Sequence, residues 1–305
     1  MLRYLSKRVG VGLVVLVLVS FFSFALTNIA VDPATALAGE AGSAADIQVL
    51  REAYGLDRPI AERYFIWAGH TLRGDLGTSY RQRRPVLDMV VERLPVTLTL
   101  GLSSILIAIA IAVPFGVLGA IRRGSWIDRL GLVFSLVGQA MPTMWLSLLL
   151  MQYFALALGW FPISGSAGLS SFVLPALTLG IGSAPVISGL IRTGMINVLN
   201  ADYIRMARAK GLRRTSILWK HALRNAVVPA VSVAAVQFGH LLGGSIVVET
   251  IYAMQGVGYL AWSSLAQGDF LVVQAIILLT SVFYVVLVIL SDFVNGWINP
   301  QLRAA

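Results

Sequence analysis

His70, His221 and His240 are the only histidines in 305 residues, cysteine is absent, and Lys7, Lys210 and Lys220 are the only lysines. These side chains bound the chemistry tightly. No His-Glu-x-x-His pair could hold a metal on one helix face. No Gly-x-Ser-x-Gly elbow presents a nucleophilic serine. No lysine stands in the Gly-x4-Gly-Lys-Ser/Thr context that cradles phosphates, so the chain is not expected to hydrolyse ATP. Catalytic residues and metal ligands are therefore expected to be none. What remains is polar chemistry inside apolar runs, where polar residues mark candidate pathways. Gln139, Gln237 and His240 are the candidates for a solute path, with Gln152, Ser103 and Ser104 behind them. Gln237 and His240 are three apart and share a helix face. The competing reading of each is an interhelical hydrogen bond, about 0.6 kcal/mol on average.

The elements that would position these residues are membrane spans. The chain is 57% hydrophobic and 12% charged, with mean hydropathy +0.82, against about a quarter charged for a soluble domain. Six runs approach the roughly 20 apolar residues that a spanning helix needs: 9–31, 96–121, 130–158, 173–191, 227–248 and 271–294. An all-α polytopic membrane protein with six transmembrane helices follows. The first run has the basic start of a secretory signal and an Ala36-Leu37-Ala38 triplet behind it. Its apolar stretch exceeds the usual core of about 7–15 residues. It is read as an uncleaved span, with cleavage the alternative.

Lys and Arg in the short loops set the orientation. With the N-terminus inside, cytoplasmic segments hold 15 of the 23 basic residues, eight of them in 192–226. The loops 159–172 and 249–270 carry none. Both termini are expected in the cytoplasm, and the net charge of +9 is mostly a topology signal rather than a sign of nucleic-acid binding. The expected divisions are 1–31 (start and first span), 32–95 (an outer helical segment), 96–294 (a five-helix core) and 295–305 (a cytoplasmic tail). In the outer segment, "DIQVLREAYGL" and "IAERYFIWAGHTL" read as amphipathic helices, followed by a short helix at 85–94.

The basic loop has an order that topology alone does not require. Residues 201–210 lack Pro and Gly and should be helical, Gly211 breaks them, and a second helix runs from about Thr215 to Ala226. Ile204, Ala207 and Gly211 recur at helical spacing with Arg205 and Arg208 beside them. A lipid-surface helix favours Trp, Phe and Leu. Small residues ringed by cations suit insertion into a protein cleft instead.

"DYIRMARAKGLRRTSILWKHALRNAVVP" resembles the cytoplasmic coupling loop of binding-protein-dependent ABC importer permeases of the dipeptide/oligopeptide family. The superfamily pattern is Glu-Ala-Ala, three residues, Gly, then an apolar stretch ending in Leu-Pro. Here Ala207 and Gly211 match, Val228-Pro229 stands for Leu-Pro, and Arg205 and Met206 replace Glu and the first Ala. The peptide branch's own Arg-Ala-Lys-Gly-Leu and His-Ala-Leu-Arg-Asn are present at Arg208 to Leu212 and His221 to Asn225. Residues 50–102 are similar to the long outer segment of the first, B-type permease of the pair. Residues 248–275 resemble the outer segment before the last span, with Gln255-Gly256-Val257-Gly258 where the family has Pro-Gly-x-Gly; the missing Pro leaves that turn less rigid. "NPQLR" at 299–303 resembles the family's ending.

The resemblance implies a type I ABC importer permease fold in a bacterial cytoplasmic membrane. It implies as partners a second homologous permease, two ATPase subunits or one fused ATPase, and an extracytoplasmic solute-binding protein. ATP and Mg would sit on the partners, leaving this chain without a cofactor. Asp202, Tyr203, Ile204, Arg205, Ala207, Arg208, Ala209, Lys210, Gly211 and Leu212 would couple to the ATPase, and Asp75, Gly77, Tyr252, Gly256 and Gly258 would receive the binding protein. The implied solute is a di- or oligopeptide; relatives also carry nickel chelates, haem, glutathione or sugars. A stand-alone secondary transporter is the rival of another class. It would require inverted repeats or intramembrane ionisable groups, and neither is evident.

Overall fold

The structure, a computed structural model, describes residues 2–30, 33–38, 42–53 and 55–298. The Asn299 to Arg303 motif lies outside them. The described residues are almost entirely helical. Helix α1 (Leu2–Ala30) leads to three short helices, α2 (Pro33–Ala38), α3 (Ala44–Ala53) and α4 (Ile60–Leu72). Next come α5 (Val86–Ile121), α6 (Trp126–Ala140), α7 (Thr143–Leu150) and α8 (Val173–Leu199). The basic segment forms α9 (Asp202–Ala209), α10 (Arg214–Ser216), a π-helical turn over Ile217–Leu223 and α11 (Arg224–Ala226). Helices α12 (Val228–Ile251), α13 (Val257–Ala266) and α14 (Phe270–Ile298) complete the described residues. Among the described residues, four helices are long and apolar enough to cross a membrane, or up to six if each of two bent pairs is one span.

Three expected boundaries differ. The third run, 130–158, is two helices meeting at 104°, because Pro142 holds the preceding Met141 extended at φ −76°, ψ 121°. The short helix expected at 85–94 is the start of α5, which runs on through Pro95 and Pro114. The basic loop expected from 192 begins inside α8, so Arg192 lies on a helix that reaches Leu199.

Helix α5 packs along α8 more extensively than any other pair. Lipid tails are as apolar as leucine, so association in a membrane depends on close approach, and small residues favour it. Ala108 and Ala112 of α5 and Ala184 of α8 are fully buried in one cluster with Ile187, Ile191 and Met195. A Cβ on Gly116 would come within 2.8 Å of both Ile191 and the Ser188 carbonyl oxygen, and one on Gly180 within 3.0 Å of the Ser104 carbonyl oxygen. Helix α12 lies against α8, α5 and α14. Helix α1 is peripheral, packed on α14, with α4 laid over it. Tyr64 makes edge contacts with Phe21 and Phe24, and its hydroxyl is 2.8 Å from Ser20 Oγ. The α4 end of the bundle is tied across at Asp269, which accepts hydrogen bonds from the Ser79 hydroxyl and the Arg81 amide.

The α5–α8 contact gives a direct test. Gly116→Leu should lower stability by about 1–3 kcal/mol, the usual cost of overpacking a tight interior. The check is the thermal midpoint of the detergent-solubilised chain beside Gly124→Leu, whose added atoms meet nothing within 4 Å at Cβ. Gly124 has φ +78°, so the control also reports the backbone cost alone.

Candidate functional site

Gly211 ends α9 in the left-handed conformation, φ +74°. Its amide donates to the Arg208 carbonyl at 3.0 Å, and the Leu212 amide donates to the Ala207 carbonyl at 3.2 Å. This pair of bonds is a Schellman cap, which glycine makes without a Cβ penalty. The helix is seated on its own chain by Ile204, fully buried, and Ala207, which close on Ile217 and Val198. The expectation that Ile204 and Ala207 face a partner cleft is therefore corrected: one hydrophobic stripe on a two-turn helix must cover the chain that supports it. Gly211 is open, with nothing near its Cβ position.

The outward face is made of other residues. Tyr203, Met206 and Leu212 are exposed, and Trp219 on the π-helical turn is 60% exposed. Asp202, Arg205, Arg208, Ala209 and Lys210 are exposed around them. Local bonds fix the rim. Arg205 pairs with Asp202 at 3.2 Å, Asn225 Nδ2 donates to the Tyr203 hydroxyl at 3.0 Å, and Arg208 donates to the Leu199 carbonyl at 3.4 Å. Apolar centres within a cationic ring, on a helix fixed from behind, have the composition of a protein-interface patch.

At this same end, Arg192 grips Asp128 with two hydrogen bonds, Nε to Oδ1 at 2.7 Å and Nη2 to Oδ2 at 2.9 Å. The Gly124 amide donates to Asp128 Oδ2 at 2.9 Å, so the α5–α6 turn is locked onto α8. Sequence reasoning counted these arginines as topology signals and passed over Asp128, the single acid between Ile121 and Gly131.

The opposite end holds a second polar knot. Glu249, near the end of α12, is fully buried. Its carboxylate accepts from Thr97 Oγ1 at 2.8 Å, Ser245 Oγ at 2.9 Å and the Tyr259 amide at 2.8 Å. Thr97 Oγ1 in turn accepts from the Val257 amide at 2.8 Å. The α12–α13 turn wraps so closely that a Cβ on Gly256 would lie 2.3 Å from Glu249 Oε2, and one on Gly258 would lie 2.9 Å from Ile246 Cα. The turn expected to be loose for want of a proline is pinned by this carboxylate.

Tyr252, Gly256 and Gly258, expected as docking residues, are buried. The Tyr252 hydroxyl donates to the Ser147 carbonyl at 3.0 Å, and its own carbonyl accepts from the Gly165 amide at 2.8 Å. These three shape the turn and present no side chain for docking. Asp75 is exposed, caps its own turn by accepting from the Gly77 amide at 2.9 Å, and lies 3.3 Å from His70. Gly77 takes φ +82° in that turn. Of the path candidates, Gln139 is exposed on the last turn of α6, next to the sharp bend. Gln237 is part-buried on α12. The His240 ring lies edge-on to Tyr284 of α14, 6.1 Å between centroids, which is a helix–helix contact. No hydrogen bond joins the three among the described residues. No group of three or more His, Cys, Asp and Glu suited to a metal occurs among the described residues.

This helix order, with a short capped basic helix between two long apolar ones, defines a type I importer permease. Solved structures agree in fold. An inward-facing methionine ABC transporter, MetNI, aligns with TM-score 0.59 at 19% identity, over 69% of this chain and 96% of that one. An amino acid ABC transporter crystallised with histidines aligns with TM-score 0.53 at 16% identity, over 68% and 93%. The chain belongs to the family of binding-protein-dependent transport system inner membrane components, whose model matches residues 112–304, with the family's N-terminal model on residues 1–101. It is 38% identical to the glutathione transport system permease protein GsiC of Salmonella typhimurium (strain LT2) over 307 residues, 99% of each chain. The proteins of that name from Escherichia coli (strain K12) and Pectobacterium atrosepticum are also 38% identical over 99% of each chain. It is therefore a multi-pass inner-membrane permease subunit of a binding-protein-dependent ABC importer.

Two substitutions test the polar knots. Arg192→Ala should destabilise the chain by about 3 kcal/mol, the low end for breaking a buried pair because Arg192 keeps some exposure. Asp128→Asn combined with Arg192→Gln should recover much of that loss, measured by thermal unfolding in detergent. Glu249→Ala should strand three donors, each unmet donor at about 1–3 kcal/mol. Glu249→Gln keeps two acceptor positions on its oxygen and should lose markedly less. Equal losses from the two would mean that the second carboxylate oxygen, which accepts from the Tyr259 amide and which glutamine replaces with a donor, is what the turn requires.

Proposed function

We propose that this permease carries peptides, or small solutes built like them, delivered by an extracytoplasmic binding protein, and that separate ATPase subunits power it through α9. The observation that carries the coupling role is the outward rim of Tyr203, Met206 and Leu212 among Arg205, Arg208 and Lys210, on a helix braced from behind by Ile204. An ATPase that grips this rim moves α9 and α8 together, because Arg208 and the Val198 contact join them. The bundle then alternates between inward and outward access. Support for a peptide-type solute comes from the relatives, which are named for transport of glutathione, itself a tripeptide. The solute path is formed with a second, related permease, and both termini face the cytoplasm. Asp75 and Gly77, on an exposed turn at the α4 end, contribute to the surface that receives the binding protein.

Affinity purification of the whole assembly in mild detergent, read by mass spectrometry, tests this. The chain should bring an ATPase and a second permease with it. Met206→Glu should abolish ATPase recovery while leaving the thermal midpoint unchanged, since Met206 is 60% exposed. Gly211→Glu should do the same with a loss of about 1–2 kcal/mol from the strained left-handed position. Association that survives both substitutions would refute the coupling role. Uptake of labelled glutathione or dipeptides by vesicles, with ATP inside and the binding protein outside, addresses the solute.

A further inference from the structure

The α5–α6 corner displays three exposed arginines, Arg122, Arg123 and Arg129. Among the described residues, none of their guanidiniums has a hydrogen-bond or ion-pair partner. Each guanidinium carries five N–H donors in a fork that matches the oxygens of a phosphate.

The charge balance at this corner is positive. Asp128 is the only acid between Glu92 and Asp202. Arg192 holds both of its oxygens, and Arg123 bears on it through space. Helix α6 packs mainly on α8 and α5. Helix α8 carries no acid, and those of α5, Asp88 and Glu92, lie about 45 Å or more along the helix from Arg122, at 1.5 Å per residue. Asp202, the next acid in the chain, pairs with Arg205. Arg192 therefore cancels Asp128, and the charge of three guanidiniums is left over.

The corner also has a fixed shape. Gly124 turns it at φ +78°, and its amide donates to Asp128 Oδ2 at 2.9 Å. The Arg129 amide donates to the Ser125 carbonyl at 3.1 Å, so α6 starts at once behind the turn. Trp126, 68% exposed, opens an outward row that continues as Leu130, Val133 and Val137, at spacings of four, three and four. Behind this row Phe115 of α5 stacks on Phe134 of α6, ring centroids 4.9 Å apart, and closes the seam between the helices.

The order of these residues selects the partner. Cations stand at one end, an aromatic ring follows, and an aliphatic row runs on from it. Phosphate, aromatic belt and hydrocarbon follow one another in the same order through a leaflet, and clustered Lys and Arg beside a membrane helix bind acidic headgroups. A protein-binding patch sets its charges as a rim around an apolar centre, as α9 does. Orientation in the membrane asks only for positive charge in this turn; it asks neither for the exposed Trp126 nor for the locked corner.

We propose that the α5–α6 corner binds the phosphate headgroup of one anionic glycerophospholipid through Arg122, Arg123 and Arg129, with an acyl chain laid along α6 from Trp126. The site depends on the bilayer alone, not on the solute or on the role of α9. The test uses the full chain in detergent, with a thermal midpoint for each variant. Native mass spectrometry during titration with phosphatidylglycerol should show one lipid retained, and phosphatidylcholine of the same acyl chains more weakly. Arg122→Ala and Arg129→Ala should each weaken retention about fivefold, the effect of one cation at an anionic surface. Their midpoints should stay unchanged, since neither guanidinium has a partner to lose. Arg213→Ala removes the same charge from the basic segment beyond α9 and should leave retention unchanged. In vesicles that hold the whole assembly, a photoactivatable phosphatidylglycerol should label 122–137 of the unaltered chain, a readout that does not depend on how any variant folds. Equal retention of phosphatidylcholine, unchanged affinity in both corner variants, or equal weakening by Arg213→Ala would overturn the proposal. So would labelling confined to other segments, or displacement of the lipid by glycerol 3-phosphate at the same concentration, which would assign the corner to a soluble phosphate compound. Crosslinking of a photoreactive probe at Trp126 to a protein subunit in place of lipid would also overturn it.

Discussion

In a bilayer, burying one apolar helix against another releases no water, so α5 stays on α8 only because their backbones come close enough for dispersion to accumulate. The alanines and glycines of that contact are the constraint on which the rest depends. At Gly116 and Gly180 a neighbouring side chain or carbonyl stands where a Cβ would crowd it. The resulting pair runs the length of the molecule, and α6 and α12 both lean on it. Flexible side chains would blur such a contact. Ala108, Ala112 and Ala184 lose no rotamer freedom on packing.

A rigid pair is useful only if something holds its two ends, and both are held by polar knots. Asp128 and Arg192 join the α5–α6 turn to α8 at the α9 end. Thr97 and Glu249 join the start of α5 to the α12–α13 turn at the α4 end. The two differ in kind. The first is an ion pair with one partner partly exposed, able to slide or open when its surroundings move. The second is a fully buried carboxylate with three donors around it, and loosening it would strand several groups at once. An element that must move is better served by the first, and a turn that must keep its shape by the second.

The sequence made the spans legible because length and apolarity alone define them. It made α4 legible to the residue, since Pro59 and the polar face of "IAERYFIWAGHTL" frame it. The capped end of α9 was also readable, because only glycine serves at Gly211. Bends were less so. A proline inside an apolar run is silent in a hydropathy count, and Pro142 makes a break of 104° while Pro95 and Pro114 make no break in α5. The local residues do not decide which outcome occurs; the neighbouring helices do. Faces were the hardest. Ile204 and Ala207 share a stripe, but whether it meets the chain or a partner depends on Ile217, thirteen residues on, swinging under it. The burial of Glu249 was illegible for the same reason. A carboxylate at a span end faces water by default, unless a glycine-rich turn folds over it, and that turn is what Gly256 and Gly258 permit.

The seat of α9 carries its own consequence. Ile204, Ala207 and Ile217 form a cluster apart from the larger core that runs along α5 and α8. A small separate cluster binds a short helix firmly enough to orient it, while leaving it able to shift as a unit without disturbing alanine-to-alanine contacts elsewhere. Backbone bonds inside the Schellman cap travel with the helix. The bonds that cross to its neighbours, from Asn225 to Tyr203 and from Arg208 to the Leu199 carbonyl, are exposed and so can exchange with water at little net cost. The firm connections lie within α9 and the soft ones around it, which suits an element that receives force from outside and passes it to α8 through the short Asn200–Ala201 link.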